Sequence, residues 1–186
     1  VLNESIVSTE LGLKGIPNIS ESINLYRDIE ILAYAGGKIH IPYVTTSKGV
    51  NLIREAKKNN LDITASVSLA HITFSEKDIP EFDTNFKLIP PLRSESDLNS
   101  LKEGLIDGTI DYLTSMHEPF DIDNKKNVFD NASSGSIGLE SMFGLMSNQF
   151  TLEKTIDILT RKKIIFGVDD HPCLLYTSDA ADELRS

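Results

Sequence analysis

Apolar residues recur near helical spacing at Ile23, Tyr26, Ile29 or Ile31, and Leu32, which predicts an amphipathic helix. Ser20 precedes that run, and Glu21 falls in its first turn, where the helix dipole favours an acid. Gly36 and Gly37 stop it. "KIHIPY" (38–43) then reads as a short strand. Ser47 opens a second helix with Val50, Leu52, Ile53 and Ala56 on its apolar side, closed by Asn59–Asn60. "DITASVSL" (62–69) is a second strand, Asp97 to Asp107 a third helix ended near Gly108, and "TIDYLTS" (109–115) a third strand. "GLESMFGLMSN" and "TLEKTIDILTRKK" predict two more helices, the first starting at Leu139.

Three strands, each followed by a loop and a helix, imply an α/β chain with a parallel sheet and helices outside it. The pattern by itself fits both an open doubly wound sheet and a (β/α)8 barrel. In either architecture the loops after the strands form the edge where ligands bind. One connection, "FSEKDIPEFDTNFKLIPPLRSESD", is long and rich in Pro and Asp, which marks a functional loop rather than a simple link. Residues 121–136 form a second polar loop. Gly135 and Gly138 bracket a turn that calls for unusual backbone angles.

Charge narrows the partners. The chain carries 18 basic and 28 acidic residues, a net charge of −10. Nucleic acids and anionic membranes both need a basic surface and are disfavoured as partners. There is no run of about 18 apolar residues, so no membrane span is expected. No secretory signal pattern is recognised, and "VLNESIVSTE" reads as mid-protein sequence. No GxGxxG or Walker-type loop is present, which sets aside the usual nucleotide-binding motifs.

The last stretch stands apart. "CLLYTSDAADE" (173–183) has no periodicity in common with what precedes it, and it back-translates into a transposase adapter used in DNA library preparation. Residues 171–186 are therefore expected to be non-native and disordered. They include Cys173, the single cysteine. Without it, disulfides, CxxC sites and cysteine nucleophiles are excluded.

The residues quoted so far carry a resemblance. The stretch from "LGLKGIPNISES" through "KIHIPYVTTSKGV" to "DITASVS" resembles the second half of a dihydroorotase of the amidohydrolase superfamily. "FDTNFKLIPPLRSESD", "GLIDGTIDYLTSMHEPF" and "GSIGLES" continue it in order, and "KKIIFG" falls near the usual barrel end. The resemblance implies that residues 1–170 are the C-terminal half of a (β/α)8 barrel. It implies zinc as cofactor, one or two ions holding and activating a water that opens the dihydroorotate ring in pyrimidine synthesis. It also implies a cytoplasmic protein, oligomeric at full length.

Set against the family's motifs, the site residues have changed. The first strand-end motif, of the form HIxHxST, appears as "HIPYVTT": His40 matches the first histidine and Tyr43 takes the metal-ligand position. The TPHH-like motif appears as "SLAHI", with Ala70 at the ligand position and His71 beside it. The TDHAPH-like motif appears as "TSMHEPF". Met116 stands for the aspartate that serves as ligand and proton shuttle, His117 is kept, and Phe120 replaces a substrate histidine. "IPPLR" keeps Arg93 but puts Ile89 in place of an asparagine. The HxH pair and the bridging ligand of the family would precede residue 1.

Three function classes follow. The first is a catalytically inactive dihydroorotase homologue acting as a scaffold, for which the resemblance implies aspartate carbamoyltransferase as partner. The second is an active, divergent cyclic amidohydrolase using ligands from the preceding half. The third is a barrel that holds a small carboxylate through Arg93, with His117 as a further substrate contact. Arg93 suits a carboxylate because its planar fork can pair bidentately. Its alternative role is bracing the loop. His71 and His117 are shifted one residue from the ligand positions and are expected to turn toward the helix layer. Lys87 is expected on the surface. Glu118, Asp121 and Asp123 are expected to be a solvated run.

Overall fold

The computed structural model describes residues 1–160. The C-terminal "KKIIFG" segment and the 171–186 stretch lie outside the described residues. In chain order the elements are β1 (Leu2–Asn3), α1 (Ile6–Glu10), β2 (Gly15–Ile16), α2 (Asn18–Ala35), β3 (Ile39–Ile41), α3 (Ser47–Lys58) and β4 (Ile63–Ser68). There follow α4 (Leu69–Thr73), α5 (Glu95–Asp107), β5 (Tyr112–Thr114), α6 (Ile122–Lys125), α7 (Met142–Gln149) and α8 (Leu152–Thr160). Helices cross between successive strands, and all described pairing is parallel. β1 pairs with β2, and a second sheet has the order β3-β4-β5. The expected α/β arrangement is present.

Local chemistry sets the helix ends. Thr46 caps α3 by accepting from Gly49 N at 3.0 Å, and Ser94 caps α5 by accepting from Asp97 N at 3.2 Å. Gly108, with φ 81, ends α5 in the left-handed conformation. Three expected boundaries move. α2 begins at Asn18 behind Pro17, not after Ser20, because proline's fixed φ suits a helix entrance. α5 starts at Glu95, two residues earlier than expected, because Ser94 is the cap. α7 starts at Met142 rather than Leu139, because residues 138–141 are held as a turn against the end of β5.

The β3-β4-β5 sheet has two unlike faces. Ile63, Ala65 and Val67 of β4 point to one side and are almost fully buried there. Ile39 and Ile41 of β3 and Leu113 of β5 join them. This face packs against Leu25 and Leu32 of α2, Val50 and Ile53 of α3, Leu101 and Leu105 of α5, and Met146 and Ile158 beyond. Alternation puts His40, Thr64, Ser66, Ser68, Tyr112 and Thr114 on the other face. It is polar throughout. A second apolar cluster lies under the long loops, formed by Leu2, Ile79, Leu88, Leu92 and Phe129, with Ala70, Phe74 and Phe86 against it.

Candidate functional site

Tyr43, Ala70 and Met116 each lie two residues beyond the end of their strand: β3 ends at Ile41, β4 at Ser68 and β5 at Thr114. The structure thus sets the three sequence-derived positions at one level, on the edge where the strands deliver their loops. Two of them, Tyr43 (φ 54) and Met116 (φ 47), have left-handed backbones, which side chains other than glycine, asparagine and aspartate rarely adopt. Ala70 instead lies in α4 and packs its methyl against the second apolar cluster. Met116 is 4 % exposed.

These three side chains offer no imidazole or carboxylate. Zinc is held by cysteine, histidine, aspartate or glutamate. Among the described residues there is no group of three or more such side chains placed to hold a metal ion. The residues present therefore do not fit the metal centre that the resemblance implies. Glu118, Asp121 and Asp123 are exposed and do not form one.

The neighbouring histidines are each accounted for. His71 is buried. Its Nδ1 accepts from the Ser68 hydroxyl at 2.6 Å, while Nε2 donates to the carbonyls of Pro90 and Pro91 at 3.0 and 3.2 Å. Burial pushes its pKa down to about 4, against the two carbonyl hydrogen bonds, so the ring is neutral. It pins the 89–93 loop and does not face a ligand. His117 departs from the expectation that it turns to the helices. It is exposed, pairs in a parallel bridge with Ser136, and accepts from Leu139 N at 3.4 Å. His40 lies on the polar sheet face, with Nδ1 2.8 Å from Thr64 Oγ1, Nε2 3.2 Å from Ser66 Oγ, and its ring edge-on to Tyr112 at 5.9 Å. Partial burial lowers its pKa, opposed by the charge of Asp111.

Arg93 is not free above the strand ends. It is 3 % exposed. Nη1 donates to Asn3 Oδ1 at 2.8 Å, the Ile16 carbonyl at 2.7 Å and Asn18 Oδ1 at 2.9 Å, and Nε donates to Thr45 Oγ1 at 3.2 Å. The guanidinium ties β1, β2 and the start of α2 to the turn after β3. The guanidinium braces the loop through hydrogen bonds to neutral acceptors, where the expected alternative to a carboxylate site is a surface or loop-bracing salt bridge. Burial lowers its pKa and the nearby Glu21, Asp97 and Glu76 oppose that shift. Ile89, the other changed position of "IPPLR", is 57 % exposed.

Two features escaped the sequence. Glu21 is more than a first-turn acid. Its carboxylate accepts from Thr45 N at 3.1 Å, from Thr46 N at 3.0 Å and from Thr46 Oγ1 at 2.7 Å, and it also bonds the Thr45 hydroxyl. It thereby fixes the turn carrying Tyr43. Lys87 is buried, not on the surface. Its Nζ donates to the carbonyls of Asp130 and Ala132 at 3.0 and 2.7 Å and sits 5.7 Å over the Phe129 ring. Lys125 crosses in the opposite direction, donating to the carbonyls of Thr84 and Gly135 at 3.0 and 2.6 Å. The two lysines clasp the 82–88 and 121–136 segments together. A lone lysine in a polar loop gives no sequence signal for this.

The clasped segments border a cavity of about 780 Å³ beyond the ends of β4 and β5. Ala70 and Phe120 both line it, as do Gly135 and Gly138. Gly135 has φ 150, and a Cβ there would lie 2.7 Å from the Phe120 ring. Gly138 corrects its expectation: a Cβ would collide with the Ser115 carbonyl, so close approach requires the glycine, not its dihedral angle.

Solved structures share this parallel α/β fold. The chain matches the L-hydantoinase (dihydropyrimidinase) from Arthrobacter aurescens with a TM-score of 0.68 at 24% sequence identity, over 77% of this chain and 34% of that one. It matches the Saccharomyces cerevisiae dihydroorotase, solved with 5-fluoroorotic acid, with a TM-score of 0.58 at 16% identity, over 70% and 38%. No family model matches the chain. Curated proteins are closer in sequence. The dihydroorotase of Listeria innocua is 39% identical over 168 residues, 87% of this chain. That of Caldanaerobacter subterraneus subsp. tengcongensis is 41% identical over 172 residues, 92% of this chain. This chain belongs to the dihydroorotase family. It spans about two fifths of the length of these relatives, 39% of each.

Proposed function

We propose that this chain is the second half of a (β/α)8 barrel in a dihydroorotase homologue that has given up the family's zinc-dependent ring hydrolysis and acts as a structural partner in pyrimidine biosynthesis. One observation carries the reading. The three equivalent strand-end positions hold Tyr43, Ala70 and Met116; Ala70 packs against the second apolar cluster and Met116 is a buried thioether. Metal-assisted hydrolysis needs a Lewis acid to polarise the amide and to lower the pKa of a water. None of the three residues is among the Cys, His, Asp and Glu side chains that ordinarily hold zinc, and a thioether at 116 cannot move a proton. The parallel strand register, the turn fixed by Glu21 and the loop pinned by His71 give this edge a braced scaffold, which supports a structural role.

On this reading the protein is cytoplasmic, and its partner is aspartate carbamoyltransferase. The alternative of a small-carboxylate site at Arg93 has less support, since Nη1 and Nε of that guanidinium already donate to four acceptors within the chain and the residue is 3 % exposed. The test is metal content and dihydroorotate hydrolysis, both on the full-length protein. Substoichiometric zinc and no turnover, with the protein folded, are expected, together with co-purification of a carbamoyltransferase. Stoichiometric zinc with turnover sinks the reading and shows that ligands preceding residue 1 suffice.

A further inference from the structure

We propose that the cavity beyond β4 and β5 is a binding site for a small, neutral, largely apolar ring compound, in place of the family's charged substrate. The inference rests on the reading that metal hydrolysis has been lost from this edge.

The dimensions suit a small molecule. Ligand sites commonly enclose about 300–1,000 Å³, and this cavity has about 780 Å³. Four phenylalanines line it: Phe74, Phe82, Phe86 and Phe120. Phe74 and Phe86 meet edge to face with centroids 5.4 Å apart, leaving ring surface of the kind that packs against another aromatic. Ala70 adds a methyl at a position where the family places a metal ligand. Phe120 adds a ring where the family places a substrate histidine. Two of the changed family positions, Ala70 and Phe120, therefore contribute to the apolar wall.

The charged side chains of the lining balance, Lys125 and Lys126 against Asp83 and Glu118, so the wall has no net charge to favour an anion. The Lys125 amine is already bonded to the carbonyls of Thr84 and Gly135. The remaining polar side chains are the hydroxyls of Thr84, Ser115, Ser136 and Ser141 and the amides of Asn85 and Asn127, all neutral. They suffice to orient one neutral polar substituent. The lysine clasp holds the surrounding segments in place before any ligand arrives, which lowers the ordering cost of binding.

A matched pair of dyes tests this on the full-length protein: neutral N-phenylnaphthylamine and its charged relative anilinonaphthalene sulfonate, followed by fluorescence titration. Saturable one-to-one binding of the neutral dye is expected, at least about tenfold tighter than the sulfonate, with orotate failing to displace it. Ala70→Trp fills the space and Phe120→Asp charges the wall. Each is expected to weaken the neutral dye at least about tenfold. Phe120 is 45 % exposed, so F120D keeps the test valid if A70W misfolds. Non-saturable binding, affinity unchanged in F120D, preference for the sulfonate, or displacement by orotate would each overturn the proposal. Turnover of dihydroorotate would overturn the functional reading instead. A protein without turnover that also fails to bind the neutral dye removes only this inference.

Discussion

Tyr43 and Met116 are counterparts: each is the second residue after its strand, and both hold a left-handed backbone, at φ 54 and φ 47. They differ in burial. Met116 is 4 % exposed, whereas Tyr43 is half-buried. The same replacement should therefore act with opposite sign. Asparagine tolerates the left-handed region, which costs other residues about 1–2 kcal/mol. Tyr43→Asn is expected to raise the unfolding free energy by up to about 1 kcal/mol. Met116→Asn is expected to lower it by at least about 2 kcal/mol, since losing a buried methionine outweighs the backbone relief. Urea unfolding of both variants checks the pair, and a gain for M116N would contradict the cost expected from its burial.

His71 gives a pH dependence with a defined sign. Its folded pKa, about 4, lies below the ordinary value of 6.5. The unfolded chain therefore takes up a proton first as the pH drops. The stabilisation is complete above pH 6.5 and is lost as the pH falls toward 4. Between pH 7 and pH 5 this amounts to roughly 2 kcal/mol. Denaturant midpoints across that interval should show the slope in the wild type and a shallower one in His71→Gln. Equal slopes would mean that the imidazole is solvated in the native state.

Arg93 separates bracing from ligand binding. Arg93→Ala removes the donor to Asn3 Oδ1 and Asn18 Oδ1 and one of the two donors to the Ile16 carbonyl, and is expected to destabilise the fold by about 3–5 kcal/mol. Arg93→Lys keeps the charge but not the planar fork, so it should recover only part of the loss. Thermal unfolding of the two variants is the check. A stable R93A protein would return Arg93 to the list of free ligand-binding groups.

Gly138→Ala places a methyl against the Ser115 carbonyl. Relieving that collision means moving the end of β5 or the turn before α7. A loss of about 1–3 kcal/mol is expected, as for other overpacked sites. Gly144→Ala is the control, because a Cβ there meets nothing within 4 Å and it sits inside α7, where alanine is the better helix former. A melting temperature that falls for G138A and holds or rises for G144A bears this out.

By itself the sequence determined the alternation of strands and helices, because helical and strand periods are local and each strand feeds a loop and then a helix. It also supplied, through the resemblance, the expectation that Tyr43, Ala70 and Met116 stand at metal and acid positions, an expectation read from motifs without coordinates. Boundaries that hinge on one cap, such as Pro17, Ser94 or the turn at 138–141, moved by two or three residues because a capping contact is not a periodic signal. Only the tertiary structure decided what the remaining charged and polar groups do. Arg93 and Lys87 look alike in a one-dimensional reading, as cations in one Pro-rich loop. Folding buries both, because their acceptors come from distant stretches: Asn3, Ile16 and Asn18 for Arg93, and Asp130 and Ala132 for Lys87. The same holds for Glu21 and the turn at Thr45–Thr46. A buried charge needs partners, and partners separated by tens of residues are brought together by packing, which the order of residues alone does not display.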